Sequence, residues 1–66
     1  MDFAKSDLLE AKRQIDSTLR KLRETVKTLT AKENVKRYQS QITLANRRIQ
    51  AFEIANCLIE RELAQL

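Results

Sequence analysis

Apolar residues recur along this chain in steps of three and four. In the first half Leu8, Ile15, Leu22 and Leu29 are spaced by seven, with Leu19 and Val26 interleaved. In the second half Val35, Tyr38, Ile42, Ala45, Ile49, Phe52, Asn56, Ile59, Leu63 and Leu66 continue the alternation, with one polar interruption at Asn56. Such spacing gathers each set on one helix face, as in a coiled-coil seam. The two seams fall out of phase between Leu29 and Val35. The pattern therefore predicts an all-α fold: an antiparallel two-helix hairpin, about 3–29 and 31–65, in a single domain spanning 1–66.

The turn is expected near 30–34. Thr30 followed by Glu33 fits a capping box, which would start the second helix by satisfying its free amides. Asn34 offers a left-handed turn position as an alternative. The competing arrangement is one continuous helix with a local phase slip. A tight turn pairs Leu8 with Asn56, Ile15 with Ile49, Leu22 with Ile42 and Leu29 with Val35. It also pairs Leu19 with Ala45, Val26 with Tyr38 and Lys12 with Phe52. In the last pair the lysine stem would lie on the ring while its ammonium reaches water.

The second helix has more apolar surface than one seam needs. At 100° per residue Leu44, Ala51, Ile54, Ala55 and Leu58 are expected opposite the seam. The first helix has only Leu9 and Phe3 off its main line. A lone hairpin would leave this back face in water, and an exposed patch of this kind marks an interface. Two hairpins joined into a homodimeric four-helix bundle would cover it. So would a helix of another protein.

Composition narrows the chemistry. Glycine, proline, histidine and tryptophan are absent from the 66 residues, and there is one cysteine. Without glycine there is no phosphate-cradling loop. Without histidine there is no serine–histidine pair and no imidazole ligand. A single cysteine forms no internal disulfide, and Cys57, just off the seam, reads as a small apolar filler rather than a reactive thiol. The expectation is a non-enzymatic protein with no catalytic residues, no cofactor and no metal. Charges pepper the N-terminus and no apolar run approaches about 18 residues, so neither an export signal nor a membrane partner is expected, and cytoplasm is the expected compartment.

Net charge is +4, unevenly spread. Residues 12–48 hold eleven basic and three acidic side chains, while residues 1–11 and 49–66 each net −2. A hairpin would thus be basic toward its turn and acidic at its open end. Arg13, Arg20, Arg23 and Lys27 are placed on one side of the first helix. Lys36 and Arg47 are placed on the back of the second, flanked by Arg37 and Arg48. One consequence is antiparallel self-association, basic turn against acidic end. The other is phosphate binding by Arg13, Arg20, Arg23, Lys27, Lys36, Arg47 and Arg48. No aromatic residues interleave this strip as stacking platforms. The acids Asp2, Asp7, Glu10, Glu53, Glu60 and Glu62 are off the seam and read as solvated.

The segment Leu29-Thr30-Ala31-Lys32-Glu33-Asn34, the chain length and the seam residues Ile15, Leu22 and Ala45 resemble the Rop family. Its members are small plasmid RNA-binding regulators built as dimers of helical hairpins. The resemblance implies the bundle architecture. The positions matching that family's RNA-contact face are here Phe3, Glu10, Gln14, Thr18 and Thr25, which are neither basic nor centred on the family's aromatic residue. The implied architecture is therefore taken without the RNA function.

The reading that follows is a small protein–protein interaction module or regulator, acting as a homo-oligomeric bundle. Its interface would be Leu44, Ala51, Ile54, Ala55 and Leu58. The alternative is a nucleic-acid-binding regulator using the basic half near the turn.

Overall fold

The computed structural model describes residues 2–66 and is a helical hairpin 48 Å long and about 15 Å across. Helix α1 spans Lys5–Thr30 and helix α2 spans Gln39–Ala64. At 1.5 Å per residue each is about 39 Å long. Leu, Lys, Arg, Glu, Gln and Ala dominate both, and no helix-breaking residue interrupts either. The two helices pack along their length, which excludes a continuous helix.

The core is the seam that the apolar spacing defines. Leu8, Leu19 and Leu29 of α1 are buried, as are Ile42, Ala45 and Asn56 of α2. Ile15, Leu22, Val26, Val35, Tyr38, Ile49, Phe52, Ile59 and Leu63 are half-buried beside them. Leu66 lies past the end of α2 and is exposed, so the seam stops at Leu63. Half-burial of so many seam residues follows from having two helices and no third layer.

The connection differs from the expected tight turn. The helix begins at Gln39, not near residue 31, and Val35–Tyr38 form a single 3-10 turn ahead of it. The capping box does not form. The Thr30 hydroxyl instead donates to the carbonyls of Val26, at 2.8 Å, and Lys27, at 3.1 Å, so it closes α1 rather than opening α2. Nor does Asn34 take a left-handed conformation: its φ is −100°, and no described residue has positive φ. The Ala31 amide donates to Lys27, the Lys32 amide to Leu29 and the Arg37 amide to Asn34, winding the link in short steps. The Lys32 ammonium sits 5.5 Å from the centre of the Tyr38 ring and ties the two ends of the link together.

This longer link changes the register. Asn56 does not face Leu8; its amide donates to the Asp16 carboxylate at 2.7 Å. Lys12 does not lie on Phe52; its ammonium pairs with Glu60 at 3.2 Å. Both partners are displaced by about one heptad from the pairing that a tight turn would impose. Carried along the seam, the shift brings Leu29 level with Ile42 and Leu22 level with Ile49. The seam residues are those the spacing marks, but their partners are not.

Candidate functional site

Three surfaces have functional potential: the outer face of α2, a groove at the open end, and the distribution of charge. On the outer face of α2, Leu44 is 49% exposed, Ile54 55% and Leu58 57%. Ala51 is exposed in the same line. Ala55 is half-buried, because its place on the helix turns it toward the edge of the seam. Exposed Arg47 shares the line between Leu44 and Ala51, so the stripe is apolar toward the open end and mixed toward the turn. Nothing equivalent exists on α1, whose outer face carries Arg13, Arg20 and Lys27 at intervals of seven with Leu9 beside them.

At the open end the helices leave a shallow apolar groove of about 490 Å³, lined by Phe3, Asp7, Leu8, Ala11 and Ile59. A neighbouring hollow adds Leu58 and Glu62. Phe3 belongs to the extended stretch before α1, with Ala4 at φ −69° and ψ 152°. This groove joins the outer face of α2 through Leu58. Sequence spacing marked Phe3 only as an outlier, because a residue ahead of the helix has no heptad position. The hint was its aromatic bulk beside an otherwise polar start.

The basic side chains are not equivalent. Arg13 is paired with Glu10, and Arg23 with Glu53 across the helices at 3.1 Å. Arg23 therefore lies on the flank between α1 and α2 rather than in line with Arg13, Arg20 and Lys27. Lys36 belongs to the 3-10 turn and not to the back of α2. Arg20, Lys27, Lys36, Arg47 and Arg48 have no ion pair among the described residues. These five are divided among the outer face of α1, the link and α2, so they do not form one cluster. The acids are exposed, as expected, yet Glu10, Glu53 and Glu60 are held in ion pairs.

A polar network crosses the seam. Lys12 bonds Asp16 at 3.1 Å within α1 and Glu60 on α2, while Asn56 bonds Asp16. The bond from Asn56, followed by that from Lys12, holds the Asp16 carboxyl below its ordinary range. Bonds to Asp16 and Glu60 raise the Lys12 ammonium. Gln14, with Arg13, lowers Glu10. Asn56 is 9% exposed and its side-chain oxygen has no partner. The sequence flagged Asn56 but not its partner, since Asp16 looks like half of an ordinary Lys12–Asp16 pair four residues apart.

No group of three or more His, Cys, Asp or Glu side chains among the described residues is placed to hold a metal ion. Cys57 is exposed rather than a buried filler, because it sits on the turn of α2 past Asn56. Among the described residues no helix is long and apolar enough to cross a membrane. No family model matches the chain, and neither characterised proteins nor solved structures yield a match.

Proposed function

We propose that this protein is a small protein–protein interaction module whose first partner is a second copy of itself, docked through the outer face of α2. The observation that supports this reading is the exposed line of Leu44, Ala51, Ile54 and Leu58, where the outer face of α1 carries Arg13, Arg20 and Lys27 with only Leu9 beside them. Removing a Leu or Ile side chain from water is worth roughly 1.5–3 kcal/mol when complete. A half-exposed stripe on so small a chain leaves a large part of that gain unrealised. Two hairpins joined on this face make a four-helix bundle with Ala55 at the edge of the new seam. The same face would take an apolar helix from another protein when the dimer opens.

The test is the double change Ile54→Asp, Leu58→Asp. It lowers the solution mass from twice the chain mass to the chain mass while helicity persists. A variant that keeps the parent's mass at every concentration refutes the assignment of this face.

A second reading, phosphate binding as a nucleic-acid regulator, is supported by the free cations Arg20, Lys27, Lys36, Arg47 and Arg48. It is weaker because Arg13 and Arg23 are occupied by carboxylates. Neither reading involves a reaction.

A further inference from the structure

We propose that the flank formed by Lys12, Asp16, Arg23, Glu53, Asn56 and Glu60 selects one of two heptad-related registers open to this hairpin. The seam alone does not choose. Its repeat is seven residues, and the apolar series in the second half extends to Val35 and Tyr38, beyond what α1 has to offer. Sliding α2 by one heptad, with Val35–Tyr38 drawn into the helix and the link shortened to about 30–34, again pairs apolar with apolar. That is the pairing in which Leu29 meets Val35 and Val26 meets Tyr38.

The polar residues beside the seam separate the two states. Positions 9, 16 and 23 follow one line of α1, because seven residues nearly complete two turns. In the observed register Asn56 meets Asp16 and Glu53 meets Arg23. One heptad away, Asn56 would meet Leu9 and the seam residue Leu8, with its amide unbonded in an apolar setting. Glu53 would meet Asp16, carboxylate against carboxylate. Lys5 would replace Lys12 opposite Glu60, so that contact is neutral to the choice. Two of the three cross-helix contacts thus favour the observed register and penalise the other.

The choice has consequences at the open end. In the observed register Ile59 closes over Leu8 and Ala11 to line the groove. In the slipped one Ile59 would stand level with Lys5, at the very start of α1, and Leu63 would project beyond the helix, so the groove over Leu8 and Ala11 would be lost. A part-buried polar bond between Asn56 and Asp16 thereby fixes which surface the molecule presents, independently of whether that surface binds a second copy.

The experiment measures the distance between nitroxide labels at Thr28 and Arg61, both exposed, in a chain with Cys57→Ser. Excess unlabelled chain restricts the readout to distances within one molecule. The parent gives one distance. Asn56→Leu with Glu53→Lys removes the unbonded amide and turns the Glu53–Asp16 clash into an attraction. It is expected to add a second population about 10 Å longer, the length of one heptad. A single distance equal to the parent's overturns the proposal. Should circular dichroism show that variant unfolded, the neutral triple Asp16→Ala, Glu53→Ala, Asn56→Leu decides by the same criterion, with both distances expected.

Discussion

Leu19 is the most buried apolar side chain of the seam, at 4% exposed, and its replacement by alanine tests the fold most sharply. Truncating a buried leucine costs about 2–5 kcal/mol, depending on how far the site collapses. Here the cost falls in the lower half of that range, about 2–3 kcal/mol. The seam neighbours Ile15, Leu22 and Phe52 are only half-buried, so they are free to close on the gap and water has a short path in. For a domain of this size each kcal/mol moves the melting temperature by about 4–8 °C. Leu19→Ala is therefore expected to lower it by about 10–20 °C, measured by circular dichroism at fixed chain concentration because self-association would shift the midpoint. Leu9→Ala is the control. Leu9 is 49% exposed on the flank of α1, in line with Asp16 and Arg23, and its loss should move the midpoint by only a few degrees. Equal shifts for the two variants would refute the placement of the seam.

The remaining predictions follow from the polar contacts and the free charge. Asp16 is held below its ordinary pKa, so the stability it contributes is present above the unfolded value near 3.8 and is lost as pH falls through the lower folded value. Lys12 is raised, so its contribution holds below the unfolded value near 10.5 and disappears as pH rises past the folded one. Helicity followed against pH should thus lose stability at both extremes, and Asp16→Asn should shrink the acid limb; an unchanged acid limb would contradict the Asn56–Asp16 bond. Arg23 and Glu53 are both more than half exposed, so a double-mutant cycle should give a coupling no larger than about 1 kcal/mol, declining with salt. A coupling well above that would mean the pair is desolvated by a neighbour. If the free cations serve nucleic acid, affinity for a random duplex falls steeply between 50 and about 200 mM salt, and Arg20→Ala with Lys27→Ala weakens it further; a salt-independent isotherm refutes phosphate binding.

Much of this fold is legible in the residue spacing because burial obeys the helical period. The buried Leu8, Leu19, Leu29, Ile42 and Ala45 are all seam positions of the apolar repeat. Register is less legible for the same reason. A seven-residue repeat matches itself after a slide of seven, so Leu29 fits Val35 or Ile42 equally well by pattern. Selection between them passes through Asn56–Asp16 and through the link. Both depend on where α2 begins, and the Thr30–Glu33 motif pointed to the wrong place. Thr30 had two acceptors one turn back, and in a helix still running that bond formed in place of the cap. Val35 and Tyr38, β-branched and aromatic, are weak helix formers and were left in the 3-10 turn. The apolar back face was legible from Leu44, Ile54 and Leu58, whereas Ala55 and Cys57 were misplaced. Each lies at an edge of its expected face, where a small rotation of the helix decides between burial and exposure.

The measurement that tests the central claim most directly is the solution mass of the unmodified chain across a dilution series, by light scattering or sedimentation equilibrium. Docking through the outer face of α2 predicts twice the chain mass of 7.7 kDa at high concentration, falling toward the single-chain value on dilution. A mass of one chain at every concentration, with helicity intact, would contradict it.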